Sequence, residues 1–485
     1  MRSTVFLSLG LALWAGAGPA EHFVPVHRVS GVGAARIDMS GELLQARTAT
    51  MMQTQTFGIL REAQALPAAR RLTSDAALQS LFRSAAAHSG FSASLLEAIA
   101  YLESWGDPKA ESPSGPKGIM QISEATAHDM GLTVKHATRY RKVSERVEVK
   151  TKRGKSKFKT VTHKVPYTVT VRDDRLVPAR AIPAAAAYLA GMERKFGGRD
   201  WAIFAYHCGQ GCVGQMLDLT RRARGIPGDQ ASVARMFFSC SPAWNRELYE
   251  AIEQQMQRDW SPTYWFRVMR AQQLLALYRE DPAEFASLAA EYKSDFISTR
   301  APHRLAVWLR RGDLVFHSGD DLRSGSGRKL LVKALDRPGY FGYSLHVPAD
   351  SSENADLYSE ASPAAIGALA YIAFETRRLY EEVDSGAEFH PLQVVSLVEP
   401  EEFARGLREP EALAHSSGQV FDIDYSHMPP GELECLRFVL EDLGWDGCLG
   451  FVDEERSSLH IGSSPNARES FAGIYEEAAG KSAPE

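Results

Sequence analysis

The sequence lacks the features that would mark it as a membrane, metal-cluster or nucleic-acid protein. After the first twenty residues, no run approaches the roughly 18 apolar residues that a membrane-spanning helix needs. Only 5 of its 485 residues are cysteine, and no two form a Cys-x-x-Cys pair, which argues against a cysteine zinc site. The net charge is −5, so the chain as a whole offers no attraction for nucleic acid. Internal repeats and low-complexity tracts are also missing.

What is present is a long chain of ordinary composition with an export-like start. Its 485 residues are 44% hydrophobic and 24% charged, enough for two or three domains with sizeable cores. Residues 1–20 contain Arg2, an apolar run from Val5 to Trp14, and then small residues up to Ala20. That pattern predicts a cleaved secretory signal and hence a periplasmic or secreted protein.

One stretch, Leu95 to Leu132, combines a buried helix with a glycine- and proline-rich loop. Apolar residues at helical spacing lead to Glu103, and the loop begins directly after it. A carboxyl group in apolar surroundings has a raised pKa and keeps a proton to donate. An isolated Glu would simply end an amphipathic helix in water, so the interpretation of Glu103 as a general acid depends on the motifs around it.

Four motifs surround Glu103 in a fixed order. They are Glu103-Ser104, with Ala110 following, Gly118-Ile119-Met120-Gln121, Ala125-Thr126-Ala127, and Ala205-Tyr206-His207-Cys208-Gly209-Gln210-Gly211. Together they resemble the soluble lytic transglycosylase family of the lysozyme-like fold, over roughly Ala76 to Tyr249. His207 and Cys208 depart from the family pattern, which usually has Asn and Ala there.

The resemblance implies a glycan-cleaving enzyme that acts on peptidoglycan without a cofactor. Glu103 would protonate the glycosidic oxygen and then deprotonate the muramyl 6-hydroxyl, leaving a 1,6-anhydro end. Ser104, Gln121 and Tyr206 would orient the substrate or hold Glu103. A lysozyme-type hydrolase, which commonly adds a second carboxylate, remains an alternative, as does a cell-wall opener of a secretion machine.

Residues 133–172 interrupt that family pattern with a strongly basic segment. From Lys135 to Arg172 thirteen lysines and arginines stand against two glutamates, a net charge of +11. Apolar residues alternate along both halves, and Arg153-Gly154-Lys155-Ser156 supplies a turn, which predicts a β-hairpin. It is either a solvated hairpin or an electrostatic clamp for an anionic cell-wall or envelope polymer.

The C-terminal part contains a second group of candidate residues: His415, Asp422 and His460. Along a strand, Asp422 lies on the face opposite Phe421 and Ile423, and the apolar neighbours of His460 likewise face away from the imidazole. If the apolar faces share one core, Asp422 and His460 converge on the other face. Two imidazoles and one carboxylate leave a position for water, so we expect a catalytic Zn²⁺ site.

These residues, a His, six intervening residues, an Asp and a distal His on a strand, resemble zinc peptidases of the D-alanyl-D-alanine carboxypeptidase and hedgehog type. The resemblance covers about Pro363 to Pro465 and implies a domain that cuts or binds peptidoglycan stem peptides. Two positions depart from it. Glu399 stands where the family often has an Arg, and Ser457 and Ser458 precede His460, so Glu455 is the predicted general base.

The sequence thus predicts a multidomain protein: a mainly α lysozyme-like domain with an inserted β-hairpin, then an α+β zinc-peptidase-like domain. The predicted boundaries are a signal at 1–20, an extension at 21–75, the transglycosylase-like domain at 76–255 with its hairpin at 133–172, a helical linker at 256–300, the peptidase-like domain at 301–476 and a polar tail at 477–485. A non-catalytic peptidoglycan-binding role for the C-terminal domain remains an alternative.

Overall fold

A computed structural model describes residues 22–26, 29, 41–150, 156–256, 261–294, 314–335, 337–347, 355–402, 415–454 and 457–482. The chain forms two compact units. We call them the N-terminal unit, Arg36–Ser294, and the C-terminal unit, which consists of Met1–Ala35 and Asp295–Glu485. The predicted signal at 1–20 lies outside the described residues. No helix within those ranges is both long and apolar enough to cross a membrane.

The N-terminal unit is built from helices. In chain order they are α1 (Gly41–Leu60), α2 (Ala65–Ser74), α3 (Ala76–Ser89), α4 (Ala93–Ser104), α5 (Glu124–Asp129), α6 (Pro178–Phe196), α7 (Arg199–Arg222), α8 (Val233–Ser239), α9 (Arg246–Met256), α10 (Tyr264–Glu280) and α11 (Pro282–Ser294). Side-chain caps fix where α3 and α4 begin: Asp75 accepts from the Ala77 and Leu78 amides, and Ser92 from the Leu95 amide.

The core of this unit surrounds α4 and includes residues further along the chain than predicted. Leu96 and Ile99 of α4 are fully buried in one apolar cluster with Leu274 of α10. Glu97 of α4 is buried as well and forms an ion pair with Arg279 of α10. The segment predicted as a helical linker therefore belongs to this unit as far as Ser294, because α10 carries its own apolar face.

The hairpin predicted for 133–172 is confirmed. Strands β1 (Val134–Lys150) and β2 (Ser156–Asp173) pair antiparallel along their whole length, with one bulge at Lys135/His136. Of the turn predicted at 153–156, residues 153–155 lie outside the described residues, and Ser156 is the first residue of β2.

The C-terminal unit mixes strands and helices. Its strands are β3 (Val332–Lys333), β4 (Tyr343–Leu345), β5 (Glu360–Ala361), β6 (Leu392–Ser396), β7 (Val420–Asp424), β8 (Leu449–Glu454) and β9 (Ser458–Ser463), and its helices are α12 (Gly319–Gly327), α13 (Pro338–Phe341), α14 (Pro363–Val383), α15 (Pro430–Trp445) and α16 (Arg468–Ser482). Five strands form one sheet in the order β4-β6-β7-β9-β8. Strand β4 runs parallel to β6, and the other neighbours are antiparallel.

Helix α14 is the central helix of this unit and is buried over most of its length. A Cβ atom at Gly367 would lie 1.8 Å from the Phe471 carbonyl oxygen of α16, so the two helices pack at a distance that only glycine allows.

Two predicted boundaries differ from the structure. The polar tail predicted at 477–485 begins inside α16, because Phe471, Ile474 and Ala478 are buried at helical spacing. The extension at 21–75 is divided: α1 and α2 belong to the N-terminal unit, whereas the Phe23 amide donates to the Tyr340 carbonyl oxygen at 2.8 Å within the C-terminal unit.

Candidate functional site

Glu103 is the penultimate residue of α4, at a helix end that several contacts fix. The helix stops because Trp105 adopts the left-handed conformation, with φ of 54°. The Trp105 carbonyl oxygen accepts a hydrogen bond from Arg71 at 3.1 Å. The Trp105 ring packs edge-on against the Tyr101 ring, with 5.0 Å between centroids. The backbone that carries Glu103 is therefore held in place.

The three predicted substrate-binding residues surround the loop that follows this helix. The Ser104 hydroxyl donates to the Ile119 carbonyl oxygen at 2.7 Å, and the Tyr206 hydroxyl donates to that of Met120 at 2.7 Å. The Gln121 amide donates to the carbonyl oxygens of Gly118 and Ala110 at 2.9 and 3.2 Å. These bonds brace the loop backbone, and a direct contact of the three side chains with substrate stays a prediction.

Gly118 fixes the same loop against the segment after the hairpin. It has φ of 79°, and a Cβ atom there would lie 1.9 Å from the Arg175 carbonyl oxygen. The Arg175 side chain is buried, pairs with Asp173 at 2.7 Å, and donates to the Gly115 and Ile122 carbonyl oxygens at 3.3 Å each. One arginine thus ties the loop beside Glu103 to the end of β2.

The Glu103 carboxyl group is half-buried and lies against residues of α7 and α10. The Tyr264 hydroxyl donates to Glu103 Oε1 at 2.6 Å. The His207 ring stacks on the Tyr264 ring, with centroids 4.5 Å apart and planes inclined by 8°. Arg267 lies one turn further along α10, and its charge also acts on Glu103.

Burial raises the pKa of Glu103 above its ordinary value. The charge of His207, the hydrogen bond from Tyr264 and the charge of Arg267 each lower that pKa, but by less than burial raises it. Arg267 is itself desolvated, which lowers the pKa of its guanidinium to about 10 and still leaves it charged at neutral pH. The result is a carboxyl group that retains a proton above the usual range, as a general acid requires.

Among the described residues, no second carboxylate contributes to the electrostatic environment of Glu103. In retaining glycosidases the two carboxyl groups are about 5–5.5 Å apart, a distance at which each would raise the other's pKa. The sequence interpretation missed Tyr264 and Arg267, because it assigned them to a linker. The available signal was the aromatic run Tyr264-Trp265-Phe266 at the start of a helix.

In the C-terminal unit, His415, Asp422 and His460 come together as predicted. Asp422 of β7 and His460 of β9 are directly opposite in the antiparallel register, and His460 Nδ1 lies 2.7 Å from Asp422 Oδ1. His415 Nε2 lies 3.2 Å from Asp422 Oδ2 and 3.2 Å from His460 Nδ1. Both imidazoles are buried.

The donor set fits a tetrahedral metal ion. Ligands about 2.0–2.1 Å from Zn²⁺ are roughly 3.3 Å from one another, close to the separations among these three side chains. His415 Nδ1 lies 2.6 Å from the Leu397 carbonyl oxygen, which fixes the proton on Nδ1 in the neutral ring and turns the Nε2 lone pair toward the other two groups. His415, Asp422 and His460 therefore have the chemistry and the spacing of a metal-ligand set.

His415 and Asp422 each shift the pKa of the other. Burial disfavours the His415 imidazolium, but the charges of Asp422 and Glu399 outweigh it and raise the pKa of His415 to about 9. Burial likewise opposes ionisation of Asp422, yet the two imidazoles hold the pKa of that carboxyl well below its usual range. The Glu399 carboxylate accepts a hydrogen bond from the Ser396 hydroxyl at 2.7 Å. The predicted general base, Glu455, lies outside the described residues.

Comparisons with known proteins bear on the N-terminal unit. Residues 80–151 and 155–226 match the family described as "Transglycosylase SLT domain". Peptidoglycan transglycosylase gp16 of Escherichia phage T7 is 36% identical over 135 residues, which are 28% of this chain and 8% of that protein. Membrane-bound lytic murein transglycosylase F of Alcanivorax borkumensis is 29% identical over 178 residues, 35% of this chain and 30% of that protein.

The matched segments thus span less than a third of either relative. Nothing in these comparisons supports a zinc-peptidase family for the C-terminal half, so that resemblance stays a prediction. Within the N-terminal unit, in contrast, residues 80–226 match the SLT transglycosylase domain with a short gap and are similar in sequence to lytic murein transglycosylases.

Proposed function

We propose that the N-terminal unit cleaves the bond between N-acetylmuramic acid and N-acetylglucosamine in peptidoglycan and leaves a 1,6-anhydro end. The observation that carries this proposal is a single desolvated carboxyl group, Glu103, with a raised pKa and cationic neighbours. Tyr264 occupies its Oε1 atom, which leaves Oε2 for the transferable proton.

The reaction needs one carboxyl group acting twice. Glu103 first donates its proton to the glycosidic oxygen as the bond from that oxygen to the anomeric carbon breaks. The resulting carboxylate then takes the proton of the muramyl 6-hydroxyl, whose oxygen bonds to the same anomeric carbon. No water is consumed, and Glu103 ends protonated again. His207 and Arg267 stabilise the carboxylate between the two steps, since both place positive charge near it.

The alternative is a lysozyme-type hydrolase, and the reaction products distinguish it from a transglycosylase. Digestion of purified murein by the intact protein, followed by mass spectrometry of the sugar products, is the deciding experiment. Anhydro ends are 18 mass units lighter than hydrolysed reducing ends because no water has been added. Anhydro products support the proposal, whereas products with reducing ends only would replace it with hydrolysis.

For the C-terminal unit we propose zinc binding by His415, Asp422 and His460, in a domain that acts on or binds peptidoglycan stem peptides. The observation in its favour is the clustering of three ligand atoms within 4.8 Å of one another. When bound, zinc supplies a Lewis acid that activates water. Leu397 orients His415 through its carbonyl oxygen, and Ser396 lies 3.2 Å from the same ring nitrogen.

Turnover of a peptide bond needs a general base as well, and Glu455 is the residue proposed for it. A non-catalytic peptide-binding unit is the alternative, because Glu399 replaces the arginine that the resembled family often has. Metal analysis of the purified protein after mild dialysis tests the binding step by itself. Zinc near one equivalent per chain supports the site, and a folded, metal-free protein would leave only a binding role.

Both proposed activities share one polymer, peptidoglycan, which lies outside the cytoplasmic membrane. We therefore propose that the protein works in the periplasm or after secretion. Fractionation of cells expressing the full-length chain, with N-terminal sequencing of the mature protein, tests this. A mature N-terminus near residue 18 or 21 is expected from the predicted cleavage after Ala17 or Ala20.

A further inference from the structure

The basic hairpin is a long ribbon whose two faces are both exposed. Its strands of 17 and 18 residues extend about 55 Å at the usual rise per residue. Val147, Val161 and Tyr167 are 38%, 39% and 40% exposed. A two-stranded ribbon with no layer packed against it is only marginally stable in water, so exposed apolar groups along its length point to a surface that is covered in use.

The two faces of the ribbon have different chemistry. Residues directly opposite in the register lie on one face, and so do residues two apart along a strand. One face, which we call the aliphatic face, carries Ala137, Val143, Val147, Val161, Val165, Tyr167 and Val169. The other, which we call the hydroxyl face, carries Thr138, Ser144, Thr160, Thr162, Thr168 and Thr170, together with Tyr140, Pro166 and Phe158. Two contacts confirm the assignment of the hydroxyl face: Ser144 hydrogen-bonds Thr162 at 2.8 Å, and Arg146 lies over the Phe158 ring at 5.3 Å.

Valine and threonine are both good strand formers, yet between Ala137 and Val169 the described valines of the paired register lie on one face and the threonines on the other. Val134, at the base of the ribbon, shares its face with His136 and Thr138. Basic residues accompany both: Arg139, Arg141 and Lys159 on the aliphatic face, and Lys142 and Lys164 on the hydroxyl face. The aliphatic face therefore combines a row of valines with basic side chains, and basic side chains lie on both faces of the ribbon.

We propose that the aliphatic face docks on an anionic lipid surface. Long basic side chains can lie along the apolar ridge and reach lipid phosphates, while the valines enter the boundary between headgroups and acyl chains. A hydrated anionic polymer would use the same charge but would gain nothing from a row of valines. The segregated valines therefore favour a lipid partner over the electrostatic clamp on a polymer.

The test measures sedimentation of the full-length protein with vesicles of phosphatidylglycerol and phosphatidylcholine, compared with phosphatidylcholine alone and with purified sacculi. The valine variant is Val143→Thr, Val147→Thr and Val161→Thr, which keeps strand propensity. Its matched control is Thr160→Ser, Thr162→Ser and Thr168→Ser, which also removes three methyl groups but from the hydroxyl face. The charge variant is Arg139→Gln, Arg141→Gln and Lys159→Gln. Circular dichroism and glycan cleavage verify that each variant is folded.

Wild-type protein and matched control should bind the anionic vesicles equally and ignore the zwitterionic ones. The charge variant should lose roughly 100-fold in vesicle affinity, because each lysine or arginine near an anionic surface contributes about fivefold. The valine variant should lose at least about tenfold. Absence of vesicle binding with retained sacculus binding would overturn the proposal in favour of the polymer clamp. Vesicle binding by the valine variant at wild-type affinity would also overturn it, because charge alone would then explain the attraction.

Discussion

The two units each present a carboxyl group at the centre of their candidate site, and the pKa values of the two groups are shifted in opposite directions. Glu103 is desolvated and its pKa is raised, despite the cations beside it. Asp422 is also desolvated, but two imidazoles in direct contact hold its pKa well below the usual range. Burial alone therefore does not determine what a carboxyl group can do.

The difference lies in how near the positive charge is. Asp422 contacts His415 and His460 at 3.2 and 2.7 Å, and the charges and hydrogen bonds of these two side chains outweigh the effect of burial on its pKa. Glu103 has a neutral phenol at 2.6 Å, and the two cationic groups that lower its pKa act less strongly than burial. A carboxyl that keeps its proton suits acid catalysis, and one that stays ionised suits a cation.

The largest effect is expected from Glu103→Gln, which keeps the shape and removes the transferable proton. Glycan cleavage should fall by roughly 10²–10⁴-fold, measured as anhydro-muropeptides released from sacculi. Because the raised pKa means that the folded state disfavours the ionised carboxyl, wild-type stability is lost as the pH rises through that pKa. The glutamine variant should thus unfold at an equal or higher temperature than the wild type at neutral pH.

A control in the other unit sharpens this result: Asp422→Asn should leave cleavage unchanged. Full activity of the Glu103→Gln protein would rule out the proposed chemistry.

His460→Ala should reduce zinc from near one equivalent per chain to near zero, because two remaining ligands do not hold the ion. Elemental analysis after dialysis measures this, and glycan cleavage should be retained because Glu103 needs no metal. The matched control is His427→Ala, because His427 is exposed and is not one of the three proposed ligands. Equal zinc in both variants would show that the ion binds elsewhere.

Gly118→Ala should destabilise the N-terminal unit by about 3 kcal/mol or more, since the new Cβ meets backbone at 1.9 Å. Gly115→Ala is the matched control: its φ is also positive, at 106°, but no atom lies within 4 Å of the new Cβ. Thermal unfolding of both variants isolates the cost of the contact from the cost of the backbone conformation. If the two variants unfold alike, the close approach to Arg175 is not a constraint.

The smallest effect is expected from Tyr264→Phe, which keeps the ring and removes the hydrogen bond to Glu103. That bond lowers the pKa of Glu103, so its loss should raise the pKa further. Activity that requires protonated Glu103 declines as the pH rises through this pKa, and the alkaline limb of kcat/KM should therefore move upward by on the order of one pH unit. His207→Asn should shift the limb the same way, because it removes a neighbouring positive charge. Movement to lower pH in either variant would contradict this account.

Much of the N-terminal site could be predicted from sequence because its signals are local. The apolar spacing before Glu103 and the glycines after it specify a helix end within a few residues, and the hairpin alternates visibly. The contact between Tyr264 and Glu103 could not be predicted in this way, because 161 positions separate the two residues in the sequence. A local sequence pattern does not indicate which distant helix will pack against it.

The C-terminal cluster was predictable for a different reason. Strand alternation assigns Asp422 and His460 to faces, and the antiparallel register then brings them opposite each other. The polar tail was mistaken because the residues after Glu476 contain little apolar surface, although Ala478 is fully buried against its neighbours. A small buried residue carries a weak sequence signal even where packing depends on it.

The base of the hairpin has a consequence for how this chain can be rearranged. The Asp174 amide donates to the Thr133 carbonyl oxygen at 3.0 Å, and the Thr133 amide donates to the Asp174 carboxylate at 3.1 Å. The chain therefore leaves the helical body and returns to it at one clasped pair of residues. We therefore expect that another segment can replace the ribbon between Lys135 and Arg172 without displacing the helices, provided that Val134 and Asp173 are retained. The same junction offers a place to graft a tag, a binding loop or the ribbon of another protein onto this scaffold.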